Sequence, residues 1–218
     1  MSSSYAALVT GGTGRLGAAI AARLELEGFR VVAAGRRDGD LGKSDEARGL
    51  VERAAGELGG LDLLVNAAGE GFEPRPVEEV GEAEWDAAFR TTAKGSFFVT
   101  QAAAPHLRRS DLGLVVMIED VAAYQPWPLF APHCAAKAAQ AMLTRVFARA
   151  LAPDVRVCGV APGPVAVEPE QVGRRAAETL LGRIGSPDDV AEAVLYLTRA
   201  TFLTGTSLVV DGGQMLKP

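Results

Sequence analysis

The sequence predicts an α/β fold, a doubly wound parallel sheet with helices on both faces, in a single domain spanning residues 1–218. Three observations predict it. Short apolar runs alternate along the chain with stretches of helical spacing. The first run passes through a glycine-rich turn straight into a helix, in Ala7-Leu8-Val9-Thr10-Gly11-Gly12-Thr13-Gly14-Arg15-Leu16-Gly17. A later run, Leu114 to Ile118, ends in two acids, Glu119-Asp120, at the strand edge where open α/β sheets bind ligands.

In the opening stretch, Leu16, Ile20 and Leu24 repeat at helical spacing until Gly28 stops the helix. A strand, a glycine turn and a helix N-terminus together make a phosphate site. Backbone N–H groups leave the turn, the helix dipole favours an anion, and missing side chains let a pyrophosphate approach. The reading is a dinucleotide site.

Composition excludes several classes. Apolar residues make up 48% of the chain, with no run of 18, so no membrane span is expected. Two cysteines, Cys134 and Cys158, argue against a disulfide framework and for a reducing compartment. The start, Met1-Ser2-Ser3-Ser4, has neither the basic nor the apolar region of a secretion signal, so a cytoplasmic protein is expected. A net charge of −5 without a basic block makes nucleic acid or an anionic membrane a poor partner. No residues stand at metal-ligand spacing.

The turn Thr10-Gly11-x-x-x-Arg15-x-Gly17 resembles that of the short-chain dehydrogenase/reductase family, Thr-Gly-x-x-x-Gly-x-Gly. Arg15 in place of the middle glycine looks like the family's pteridine reductase branch. The resemblance implies a Rossmann-like fold, a nicotinamide cofactor and hydride transfer. It places Gly11, Thr13, Arg15, Leu16 and Gly17 against the cofactor.

The chain in order supports the likeness. Arg30 to Ala34 is a second strand, followed by Gly35-Arg36-Arg37. An acid at this point binds the ribose hydroxyl of NAD, whereas arginine accommodates the 2′-phosphate of NADP. Arg36 and Arg37, with Arg15 facing the same region, therefore favour NADP(H) over NAD(H). Asp40-Leu41 matches the family's adenine-contacting pair, yet the helix and most of the third strand that normally precede it are missing. The sheet is expected to be smaller at one edge. A helix follows over Ser44–Leu58.

Leu61 to Val65 is a buried strand leading into Asn66-Ala67-Ala68-Gly69, which resembles the family's Asn-Asn-Ala-Gly cofactor segment. Glu70 to Val80 is a loop, in which Phe72 is a candidate to stack on a substrate ring. One long helical region is expected from Glu82 to Arg109, with His106 solvated near its end. Thr92 stands where the family has an asparagine that holds a relay water. The loop from Val121 to Pro132 carries Tyr124, Trp127 and Phe130, candidates for an apolar substrate pocket.

The family's signature is Tyr-x-x-x-Lys on a helix, and four residues put both side chains on one face. Here the stretch is His133-Cys134-Ala135-Ala136-Lys137, with Asp120 at the place of the catalytic serine. Aspartate there again resembles the pteridine reductases. Lys137 is implied to hold the nicotinamide ribose. An imidazole with an ordinary pKa of about 6.5 is partly protonated near neutrality. Asp120 favours its charged form and Lys137 opposes it, so Asp120 and His133 form a candidate general acid. The other reading makes His133 a bystander. A Cys134/His133 nucleophile is disfavoured because adjacent helix residues point apart.

Asp154 to Gly163 is a strand ending in Pro162-Gly163, which with Val165 resembles the segment that meets the nicotinamide; Val167 replaces a frequent threonine. Ser186-Pro187-Asp188-Asp189 is a strong helix start. Leu208 to Gly213 matches the last strand and its Asp-Gly-Gly end. The expectation is an NADPH-dependent reductase acting on a C=O or C=N group of a small flat molecule, pterin-like by resemblance. The alternative is a nucleotide-binding protein that has lost the chemistry. The likeness also implies a homo-oligomer, a dimer or tetramer.

Overall fold

The computed structural model describes residues 4–71, 73–165 and 168–217. Six parallel strands lie in the order β2-β1-β3-β4-β5-β6. They are β1 (Ala6–Thr10), β2 (Arg30–Ala34), β3 (Leu63–Asn66), β4 (Leu114–Ile118), β5 (Arg156–Pro162) and β6 (Ser207–Val210). Between them run α1 (Arg15–Leu26), α2 (Ser44–Leu58), α3 (Glu82–Phe89), α4 (Ser96–Leu107), α5 (Ala131–Leu151), α6 (Val172–Ala177) and α7 (Pro187–Arg199).

Period-two alternation along the strands sorts the core into two layers. Leu8, Leu64, Val115 and Met117 face one way and pack with Leu50 and Val51 of α2, Val99 and Leu107 of α4, and Phe147 of α5. Val9, Val65, Val116 and Cys158 face the other and pack with Ile20 and Leu24 of α1 and Val190 and Val194 of α7. All of these side chains are buried. No helix among the described residues is long and apolar enough to cross a membrane.

β2 forms the outer edge of the sheet. After it the chain makes one 3₁₀ turn, Arg36–Asp38, and goes directly into α2. The smaller edge expected from the short link is therefore present. From β1 the chain winds outward to β2, then crosses to β3 on the other side of β1. Such a reversal leaves a crevice at the C-terminal ends of β1 and β3.

The region read as one helix from Glu82 to Arg109 is divided. Between α3 and α4 the backbone is π-helical over Arg90–Gly95. The wider π turn brings Thr92, Ala93 and Gly95 into the interior, and segments of this kind are frequent at functional sites. At the other end of the chain, Ser186 caps α7 as its sequence predicts. Its hydroxyl accepts from the Asp189 N–H at 3.3 Å while the Asp189 carboxylate accepts from the Ser186 N–H at 2.7 Å.

Candidate active site

The glycine turn sits in the crevice between β1 and β3. Gly11 has φ +66°, a conformation that disfavours side chains. Gly17 lies under the turn, where an added Cβ would come within 2.2 Å of the Gly11 carbonyl oxygen. The N-cap of α1 is Gly14, and no side chain caps the helix. Its first N–H groups are thus left to an anion.

A cleft of about 970 Å³ runs from this turn along the ends of β2 and β3. Gly11 and Thr13 line it on one side, and Ala67, Ala68 and Gly69 on the other. Arg36, Arg37, Asp40 and Leu41 form its outer rim. The size, the bare helix terminus and the close-packed glycines fit a dinucleotide.

The rim is charged in both senses. Arg36 meets Glu70 at 3.2 Å, and Glu70 also accepts from the Thr91 hydroxyl at 2.8 Å. Arg90 pairs with Asp40 at 3.1 Å. Arg15 does not join this group, contrary to the expected convergence. It is the first residue of α1, and its guanidinium pairs with Glu168 beyond β5 at 2.7 Å. Both side chains are more than half exposed, and pairs of that kind contribute about 0–1 kcal/mol.

Asn66 lies away from the cleft as well. It is buried, and its amide donates to the Thr100 hydroxyl at 3.0 Å and approaches the Met117 sulfur at 3.3 Å. It ties β3 to α4 and β4. Val165 makes a parallel bridge with Gly185 and lines a separate cavity of about 470 Å³ behind β6. Pro162 closes β5, and the adjoining Gly163 packs against Asp211. Phe72 and Val167 lie outside the described residues.

The candidate catalytic side chains gather at the C-terminal end of β4. Asp120 is fixed first: one carboxylate oxygen accepts from the Ala122 N–H at 2.8 Å. The other lies 3.3 Å from His133 Nε2. His133 is 7% exposed, and the Trp127 ring stacks beside it at 6.5 Å with planes 13° apart. Phe130 meets Trp127 edge-on at 6.1 Å. Cys134, the next residue, turns its sulfur toward the carbonyls of Gln125 and Trp127 at 3.9 Å. His106 is half-buried at the surface, with Glu52 at 3.2 Å and Arg109 at 2.9 Å.

Lys137 lies one helical turn beyond His133 and is buried. Its ammonium donates to the Ile118 carbonyl at 2.8 Å and to Gln140 Oε1 at 3.1 Å. That leaves one of its three N–H donors to offer. Gln140 in turn donates to Ser96 at 2.9 Å. Burial pushes the Lys137 pKa down, and the Asp120 and Glu119 carboxylates pull it up. Between that depressed value and the unfolded value near 10.5, the unfolded chain holds a proton that the folded chain has released. Stability owed to Lys137 therefore rises with pH in that window and falls away below it. Urea midpoints of the native chain and Lys137→Met at pH 7 and pH 9.5 are expected to move in favour of the native chain at the higher pH. A gap that stays constant would contradict this.

Sequence reasoning passed over Glu119. Its carboxylate is 2% exposed and accepts three hydroxyl bonds, from Tyr124 at 2.6 Å, Thr144 at 2.7 Å and Ser207 at 3.0 Å. Gly159 makes room for it, since a Cβ there would lie 2.1 Å from Glu119 Oε1. Tyr124 is therefore a strut that joins the loop to this carboxylate, not a free pocket wall. Burial, then the Glu119 bond, raise its pKa to about 12. Thr92 is buried in the π segment, with its hydroxyl oxygen toward Gly69. No metal-holding group of His, Cys, Asp or Glu occurs among the described residues.

Comparison with known proteins agrees with this architecture. Residues 27–215 match the family model described as enoyl-(acyl carrier protein) reductase. A putative ketoacyl reductase of the granaticin polyketide synthase from Streptomyces violaceoruber is 36% identical, over 96% of each chain. That alignment spans 239 positions, more than the 218 residues here, so the relative carries segments this chain lacks. The ligand-free aldohexose dehydrogenase of Thermoplasma acidophilum superposes with a TM-score of 0.92 at 26% identity, over 99% of this chain and 95% of that one. A 3-ketoacyl-(acyl-carrier-protein) reductase from Brucella melitensis, complexed with NADH, superposes with a TM-score of 0.89 at 27% identity, over 96% and 98%. With its sheet order, glycine turn and whole-length relatives in agreement, the chain belongs to the short-chain dehydrogenase/reductase family of oxidoreductases.

Proposed function

We propose that the protein is an NADPH-dependent reductase in which the Asp120–His133 pair delivers the proton. The observation that carries this reading is the 3.3 Å contact between the two, one helical turn from Lys137 at the ligand-binding edge of β4. NADPH supplies the hydride. The α1 N-terminus would hold its pyrophosphate, and Arg15 would leave Glu168 for that anion. Arg36 and Arg37 would take the 2′-phosphate, Asp40 and Leu41 the adenine side, and Lys137 the nicotinamide ribose. Pro162 and Gly163 supply the backbone beside the nicotinamide.

The chain's part in the chemistry is protonation. As hydride reaches the carbon of a C=O or C=N group, negative charge develops on the heteroatom. His133, charged and held by Asp120, gives up its proton there. Trp127 and Phe130 supply flat apolar walls, which favours a small planar or cyclic substrate, with dihydropterins the first class to assay. The relatives above are named for a ketoacyl group and for an aldohexose, which makes simple carbonyl compounds the second. We also read the protein as a cytoplasmic homo-oligomer.

One observation favours a binding protein without turnover. The Lys137 ammonium already has two protein acceptors. Cofactor choice and turnover decide between the readings. Replacing Arg36 and Arg37 together by serine is expected to lower kcat/KM for NADPH by about tenfold or more, with little change for NADH. Tight NADPH binding with no turnover of any carbonyl compound or dihydropterin would favour the binding protein.

A further inference from the structure

One face of α5 carries a polar stripe into the interior. His133, Lys137, Gln140 and Thr144 recur at helical spacing, and all four are buried. Each has a polar partner. His133 meets the Asp120 carboxylate, Lys137 the Ile118 carbonyl, Gln140 the Ser96 hydroxyl of α4, and Thr144 the Glu119 carboxylate. His133 and Lys137 have a place in the proposed chemistry, and Thr144 serves the buried Glu119. Gln140, fully buried, has no role yet.

Its amide has one workable orientation. Gln140 Nε2 donates to Ser96 Oγ at 2.9 Å, and its Oε1 accepts from Lys137 Nζ at 3.1 Å. Reversed, it would set N–H donors against an ammonium that has no acceptor. Ser96 is buried and is the first residue of α4, directly after the π segment. The amide is thus clamped between α4 and Lys137. On the lysine side, an ammonium with a single acceptor still turns about its Cε–Nζ bond. With two, the Ile118 carbonyl and Gln140 Oε1, that rotation is fixed and the third N–H keeps one direction.

We propose that Gln140 is a positioning residue for cofactor binding: clamped by Ser96, it sets the Lys137 ammonium so that the third N–H meets the nicotinamide ribose. The two protein acceptors on Lys137 then aim it, and are no sign of a disused lysine. Gln140 itself touches neither cofactor nor substrate and acts through Lys137. A side chain of similar length without polar atoms leaves the buried ammonium one acceptor short. The ammonium is then free to turn, with the Asp120 and Glu119 carboxylates drawing it. The inference deepens the NADPH reading, and rests on it for the identity of the group that Lys137 meets.

Calorimetric titration of the full chain with two ligands tests this. NADPH carries the nicotinamide ribose; 2′,5′-ADP carries the adenosine and its 2′-phosphate without it. Gln140→Met is expected to weaken NADPH by about tenfold and to leave 2′,5′-ADP unchanged. Gln140→Glu keeps an oxygen for Lys137 and offers the other to the Ser96 hydroxyl, so it is expected to restore most of the NADPH affinity. Ser96→Ala is expected to weaken NADPH alone by about threefold, and it decides the matter should Gln140→Met fail to fold. Equal losses for the two ligands would show a merely structural tie and overturn the proposal. Unchanged NADPH affinity in Gln140→Met, or a Gln140→Glu chain no better than Gln140→Met, would overturn it as well. So would a native chain that binds NADPH no more tightly than 2′,5′-ADP, since nothing then holds the nicotinamide ribose. No carbonyl substrate is present, so tight NADPH binding without turnover bears only on the reductase reading.

Discussion

Replacing His133 by glutamine is expected to lower kcat for carbonyl reduction by about 10² to 10⁴, the usual worth of a positioned general acid. NADPH affinity should change little. Glutamine keeps a donor for Asp120 at a buried position and holds no proton to give. Asp120→Asn is expected to act in the same direction more mildly. The imidazole keeps a hydrogen-bond partner there but loses the carboxylate that lies 3.3 Å from its Nε2. Because the two residues act as a unit, the double variant should cost little more than His133→Gln alone. Steady-state rates of the three variants, with NADPH affinity measured separately, check this. Losses that multiply would show two independent roles.

The second large effect belongs to the glycine turn. Gly17→Ala would place a methyl carbon 2.2 Å from the Gly11 carbonyl oxygen. Backbone must move to admit it, since the clashing atom is not the end of a flexible side chain. Overpacking of this kind costs about 1–3 kcal/mol. The movement also falls on the atoms that shape the anion site. NADPH affinity is expected to drop by at least about tenfold, together with a lower urea midpoint. A variant of native stability and native affinity would mean that the turn adjusts freely and that its packing is not what forms the site.

These two sites differ in how far they could be read from sequence. The glycine turn is local: strand, turn and helix are consecutive, so spacing alone places the anion site. The same holds for Ser186-Pro187, whose cap and first-turn proline mark the start of α7, and for the Arg30–Ala34 strand, whose bounds match β2. The missing segment after β2 could be read as well, because a short link leaves no chain to build another strand.

What escaped depends on residues far apart in the chain. Glu119 and Asp120 are neighbouring acids, and only the sheet register shows that they diverge. Met117 pairs with Gly159, and the space over that glycine takes the Glu119 carboxylate, while Asp120 turns to His133. Arg15 was placed from its neighbours in sequence, yet Glu168, 153 residues away, decides its direction. The π segment is invisible to a helical period, since apolar residues continue through it.

Hydride transfer to an unsaturated carbon leaves an isotopic record in the product. The protein would be incubated with NADPH carrying deuterium on both C4 positions and a set of dihydropterins, quinones and small ketones, with products analysed by mass spectrometry. One deuterium is expected at the reduced carbon for at least one substrate, and none when Lys137→Ala replaces the native chain. Tight NADPH binding with no deuterium in any product would contradict it and leave a nucleotide-binding protein in its place.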